Sequence, residues 1–205
     1  MEELFVRYPA LRACETEICA TLAALIKCYE KGGKLLLCGN GGSCADSEHI
    51  VGELMKGFLK KRPLTAEQKQ SMRERFRDID ESTLDRLQNG LPALSLTSLT
   101  ALNTAFCNDV SPELMFAQPL FVLAREHDVF LGISTSGNAK NVCAAAKVAK
   151  SLGMRVLGLT GKHGGELRQL ADVCIAVPET ETFKVQELHL PGYHALCGAV
   201  ESHFF

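Results

Sequence analysis

Apolar residues along the chain follow two rhythms. From about Leu11 to Tyr29, the residues Leu11, Ile18, Leu22, Leu25 and Ile26 fall at helical spacing and "KGGK" closes the segment, which predicts an N-terminal helix. Five later runs are short, apolar throughout and bounded by turn residues: "KLLLCG", "PALSL", "DVFLGIS", "RVLGLTG" and "DVCIAV". Continuous rather than alternating apolarity suits strands covered on both faces. Helical patterns lie between them at Ser43 to Phe58, Ser98 to Asn108, Glu113 to Arg125, Asn138 to Leu152 and Gly165 to Leu170. Strands alternating with helices predict an α/β protein with a parallel sheet and right-handed crossovers. A final helix is expected over much of Thr182 to His203. Pro191 is expected to kink it or make it start afresh, because proline removes a backbone donor and clashes with the preceding turn.

The segment from Lys60 to Gly90 breaks the rhythm. It is dense in charge of both signs and poor in large apolar residues, so an exposed helical insertion is expected, packed lightly on the sheet domain or on a neighbouring subunit. A basic nucleic-acid arm is the competing reading, but Glu67, Glu74, Asp78, Asp80, Glu81 and Asp85 interrupt it. A length of 205 residues suits one domain, 1–205, with that insertion at about 60–90. The net charge of -2 offers no general pull on nucleic acid or on an anionic membrane, so any anion must be held locally. Nine cysteines with no CxxC pair read as buried thiols of a reducing compartment. No run approaches the ~20 apolar residues of a membrane span, and a soluble, cytoplasmic protein is expected.

In an open parallel sheet, ligands bind beyond the carboxyl ends of the strands, near the point where strand order reverses. Two loops are suited to that place. In "CGNGGS", Gly41 and Gly42 let the backbone approach an anion, Ser43 can cap the helix or donate to an oxygen, and the following helix adds free N–H groups. In "GISTSGN", Ser134, Thr135 and Ser136 follow an apolar run and precede a helix near Asn138. Either loop alone is an ordinary strand-to-helix turn. Two at successive strand ends point to a phosphate. Neither matches GxGxxG or GxxxxGK[ST], which argues against a dinucleotide or a nucleoside triphosphate. His49 and Glu53, at i and i+4, share a helix face and are ordinary zinc ligands, though such a pair by itself is more commonly a polar contact. His194, in the apolar context "YHALC", would alone be read as a hydrogen-bonded core histidine.

Together, "CGNGGSCADSEH", "HDVFLGISTSGNA", "GLTGKHGG" and "VQELHLPGYH" resemble the SIS (sugar isomerase) domain, most closely its phosphoheptose isomerase branch, with the motifs in family order. The resemblance implies a three-layer, flavodoxin-like α/β/α sandwich with a five-stranded parallel sheet. It further implies a homotetramer with active sites at subunit interfaces, acting on sedoheptulose 7-phosphate or a related sugar phosphate. It gives Ser43, Ser134, Thr135 and Ser136 to the phosphate and Asn40 and Asp109 to the sugar pocket, with Gly41, Gly42 and Asn138 shaping the substrate loops. Glu53 and His194 become acid and base, and His49, Glu53, Gln186 and His194 become ligands of a divalent metal, commonly zinc. Gln186 and His194 are eight residues apart, ~12 Å of rise on an unbroken helix, so a kink or a second subunit would be needed for both to meet one ion. His189 is a rival ligand or acid.

Three positions depart from the family pattern. Ala139 replaces the last serine of "SGNS", Phe183 an aspartate, and "ELMKGF" lacks the arginine of "ELTGR", with Lys56 as a nearby charge. The implied reaction is an aldose–ketose isomerisation through an enediol, with one carboxylate moving the proton beside the carbonyl. Two other classes compete: a non-catalytic SIS module binding a phosphosugar or a protein, as in the replication-initiator-binding relative, and an SIS sugar-phosphate lyase or etherase.

Overall fold

The computed structural model describes residues 1–205. A short helix α1 (Glu2–Arg7) and a 3-10 turn (Pro9–Cys14) lead into α2 (Glu15–Glu30), so the first expected helix begins later, as α-helix, than its periodicity suggests. Proline at the first position of that turn locally favours a fresh start. All five expected strands form: β1 (Leu35–Cys38), β2 (Ala93–Ser95), β3 (Val129–Ser134), β4 (Arg155–Thr160) and β5 (Val173–Ala176). They pair in parallel in the order β2-β1-β3-β4-β5. The sheet grows outward in both directions from β1 and β3, so the crevice between their carboxyl ends is the switch point.

Alternation along the buried strands divides the core into two layers. Leu35, Leu37, Leu131, Ile133, Leu157, Leu159 and Ile175 face α2, α3 (Gly42–Met55) and α10 (Thr182–Phe204). Leu36, Cys38, Phe130 and Val156 face the other way, against Leu120, Val142, Ala146 and Leu167. Those residues belong to α7 (Ala117–Leu123), α8 (Lys140–Ser151) and α9 (Gly165–Leu170). The helix expected from Glu113 divides into a 3-10 turn (Pro112–Leu114) and α7. α6 (Thr100–Asp109) is tied back by Asn103, whose amide donates to the Leu96 carbonyl at 2.8 Å. All nine cysteines are free thiols, six of them buried, and no helix is long and apolar enough to cross a membrane.

The inserted segment is helical and largely exposed, but its roots are not. α4 (Ala66–Arg75) buries nothing and starts at a capping box between Thr65 and Gln68; α5 (Glu81–Arg86) buries only Leu84. At the base, Pro63 pairs with Gln88 as an antiparallel bridge and Asn89 N–H donates to the Arg62 carbonyl at 2.7 Å. Arg62, expected on a solvated face, has a fully buried side chain. The exposed insertion is therefore narrower than Lys60 to Gly90.

α10 runs unbroken through Pro191. The expectation of a fresh start there is corrected: the buried ring is accepted inside the helix, where packing outweighs the missing N–H.

Candidate active site at the carboxyl end of the sheet

The loop after β1 turns at Gly41, whose φ of 56° belongs to a region that favours glycine. α3 starts immediately, with Ser43, Cys44 and Ala45 donating their N–H groups to the carbonyls of Asn40 and Gly41. A Cβ at Gly42 would run into the Gln186 amide, so α10 lies directly against this turn. Asn40 exchanges two 2.9 Å hydrogen bonds with Asn141 on α8, which straps the loop to the neighbouring crossover.

The loop after β3 turns at Gly137, φ 68°, where a Cβ would collide with the Gly164 carbonyl. Ser136 Oγ accepts from Asn138 N–H at 3.1 Å. The Asn138 carboxamide oxygen accepts from Glu166 N–H at 3.0 Å, tying the loop to α9. Asn40 and Asn138 thus spend side-chain bonds on holding their loops. Ser43 and Ser134 are buried, Thr135 half-buried and Ser136 exposed along the same crevice. Asp109 is exposed at the end of α6 and accepts from Asn108 at 2.8 Å; no hydrogen bond joins it to either loop.

Two helical turns along α10 from Gln186, a second cluster forms. His49 Nε2 lies 3.2 Å from Glu53 Oε1 and 3.5 Å from His194 Nε2. Glu53 is nearly buried; its Oε2 has no hydrogen-bond partner, and the Lys56 ammonium stands 3.7 Å away. Burial first, and then the neighbouring His49, holds the His194 imidazole below its ordinary range despite the opposing pull of Glu53. Behind His49, Tyr193 Oη lies 3.0 Å from Nδ1 and donates to Asp46 Oδ1 at 3.2 Å. Burial raises the pKa of Asp46, against the hydrogen bond from Tyr193, and burial followed by Asp46 raises that of the Tyr193 phenol.

Residues 95–195 match the family model of the SIS domain. The chain is 40% identical to the phosphoheptose isomerase of Burkholderia pseudomallei (strain K96243) over 182 residues, 89% of this chain and 79% of that protein. It is 38% identical to that of Helicobacter pylori (strain P12) over 180 residues, 88% and 80% of the two chains. The chain belongs to the phosphoheptose isomerase family. Among solved structures, the phosphoheptose isomerase of Neisseria gonorrhoeae superposes with a TM-score of 0.77 at 30% identity, covering 98% of this chain and 94% of that one. The enzyme from Francisella tularensis gives 0.78 at 29% identity, with coverage of 96% and 91%.

In this phosphoheptose isomerase relative, three of the four expected metal ligands, His49, Glu53 and His194, stand together, and the Gln186 carboxamide lies against Gly42. No group of three or more His, Cys, Asp or Glu side chains is arranged as a metal cage. His189, the rival ligand, faces the core: it is fully buried, its Nε2 donates to the Thr160 carbonyl at 3.2 Å, and burial lowers its pKa to about 4. It is a neutral core histidine.

Because the Tyr193 hydroxyl gives its proton to Asp46, its oxygen accepts from His49 Nδ1–H, which fixes the ring orientation. His49 Nε2 faces Glu53 Oε1 and His194 Nε2, so a proton shared among the three would join them. Asp46 and Tyr193 went unremarked in the sequence because each carries meaning only as the second partner of a histidine. "DSEH" and "YH" were the available signals: Asp46 one turn before His49, and Tyr193 beside His194.

Proposed function

We propose that this protein interconverts sedoheptulose 7-phosphate and its aldose isomer through an enediol, using Glu53 and His194. The observation that carries the reading is the spacing of two chemistries along α10: Gln186 against the phosphate-type turn, and His194 with His49 and Glu53 two turns further on. A separation of ~12 Å suits a substrate with its phosphate at one end and its carbonyl at the other. Ser43, Ser134, Thr135 and Ser136, with Gly41 and Gly42, hold the phosphate, and its binding energy places the carbonyl end in register. Asp109 is assigned to the sugar pocket by family likeness alone.

Glu53 Oε2, without a hydrogen-bond partner and kept beside the Lys56 ammonium, takes the proton from the carbon next to the carbonyl and returns it to the neighbouring carbon. His194, held neutral near pH 7, transfers the proton on the oxygens. His49, fixed by Tyr193, orients both. No step is routed through a divalent ion, because His49, Glu53 and His194 are not arranged as a metal-binding group.

Two further assignments belong to the same proposal. The protein forms a homo-oligomer, a tetramer by family likeness, and Met55, Leu59 and Leu190, exposed around the Glu53 and His194 helices, are the apolar surface that supports this. The protein works in the cytoplasm, in keeping with its free thiols.

The test is product identification by NMR after incubation with a panel of ketose and aldose phosphates. Conversion of sedoheptulose 7-phosphate to the aldose is expected. Conversion of another sugar alone would replace the substrate; cleavage in place of isomerisation would favour the lyase class; saturable binding with no conversion would favour a binding module.

A further inference from the structure

The end of α3 is the one place where the buried charges outside the site touch the backbone of a site residue. The helix stops at Met55 and the chain continues extended through Lys56, with φ -135° and ψ 174°. No left-handed glycine therefore closes its last turn, and the terminal carbonyls need outside donors. Arg62 supplies two: one terminal nitrogen donates to the Leu54 carbonyl at 2.6 Å, which also accepts from Leu91 N–H at 2.9 Å, and the other to the Glu53 carbonyl at 3.1 Å. Its Nε donates to Glu201 Oε1 at 2.8 Å. Glu201, on α10, also accepts the N–H groups of Phe58 at 2.9 Å, Leu59 at 2.7 Å and Lys60 at 3.1 Å. Both side chains of the pair are fully buried, and the Arg62 guanidinium lies 4.6 Å over the Phe205 ring.

Glu201 and His194 are separated by two helical turns on one face of α10, and Glu53 lies in the last turn of the helix that Arg62 caps. We propose that Arg62 and Glu201 are positioning residues for the isomerase reaction: their buried pair sets the end of α3 against α10 and thereby the placement of Glu53 opposite His194. The proposal rests on the assignment of Glu53 and His194 to that reaction. A buried ion pair is a costly way to join two helices, since apolar side chains of the same volume commonly do so at least as stably. What it adds is direction. Three donors of a planar fork and four bonds to one carboxylate fix the two elements in angle as well as in distance.

The test compares Arg62→Lys and Glu201→Gln with Leu84→Ala, which loosens the insertion at a buried position outside the site. Arg62→Met with Glu201→Leu is the harsher variant, and the two conservative ones keep the question answerable should it fail to fold. The measurements are kcat and KM for sedoheptulose 7-phosphate, the melting temperature, and the imidazole 15N shifts of His49 and His194 at fixed pH. The expectation for Arg62→Lys and Glu201→Gln is a kcat loss of 10-fold or more with KM within about 3-fold, and displaced His194 shifts. Leu84→Ala should lower the melting temperature comparably while both readouts stay at wild-type values. Wild-type kcat and unmoved shifts in the folded Arg62 and Glu201 variants would overturn the proposal. If the wild type converts no sugar, the functional reading fails separately, and the imidazole shifts still decide whether the pair places His194.

Discussion

The two ends of the sheet are built to opposite ends. At the amino end, a groove of about 920 Å³ runs among Ala20, Ala24, Phe121, Val129, Leu152 and Met154. Lys27, Lys31, Arg125 and Arg155 line its edge. α2, α7 and α8 all finish there, so the cations meet the partial negative charge of helix C-termini. Asp128 is consumed by bonds from Lys34 and from Arg125 N–H. At the carboxyl end lie glycine turns, hydroxyls, a carboxylate oxygen without a partner and facing imidazoles. A groove marks one end, and a buried carboxylate oxygen without a partner beside two imidazoles marks the other. The second is the better guide to function, because a structural polar group is normally satisfied within the fold.

The comparison can be broken most forcefully at Glu53. Glu53→Gln keeps shape and removes the base, so kcat should fall by about 10³-fold or more, within the range of a lost general base, while sugar-phosphate binding measured by calorimetry changes little. Next is Gly137→Ala. A methyl group there is both conformationally strained and in collision with the Gly164 carbonyl, and a stability loss of more than ~1 kcal/mol should accompany weakened phosphate binding in a denaturant melt and a binding titration.

A pH experiment separates the core from the site. His189 titrates at about 4 in the folded chain, below the ordinary value of 6.5, so the unfolded state takes up its proton first. Its contribution is present above about pH 6.5 and is lost as pH falls toward 4, on the order of 3 kcal/mol in all. Urea melts across that window should show a shallower acid slope for His189→Gln. At the amino end, reversing Lys27 and Arg155 to Glu should alter kcat/KM by less than about 2-fold, since neither touches the crevice. A tenfold loss would move function toward the groove.

Most of the fold was legible from the chain. Five apolar runs became five parallel strands because burial on both faces leaves little room for polar residues, and the glycine turns marked the loops because only glycine tolerates Gly41 and Gly137 backbone angles. Residues acting at a distance were less legible. Arg62 sits in a charged stretch and reads as solvated surface until Glu201, far away in sequence, folds against it. His189 and His194 lie one and a half turns apart on one helix, yet one faces the Thr160 carbonyl and the other His49. Helical phase decides between core and site, and Pro191 between them obscured that phase by suggesting a break that does not occur.

The central claim is that the cluster joining α3 and α10 moves a proton between adjacent carbons of a phosphosugar held at the two glycine turns. Its most direct measurement is deuterium entry at C1 and C2 of sedoheptulose 7-phosphate in deuterated water, followed by NMR for the wild type and for Glu53→Gln side by side. The account predicts entry with the wild type and none with Glu53→Gln, even though that variant still binds the sugar. Equal entry in both, or none in either despite binding, would contradict it.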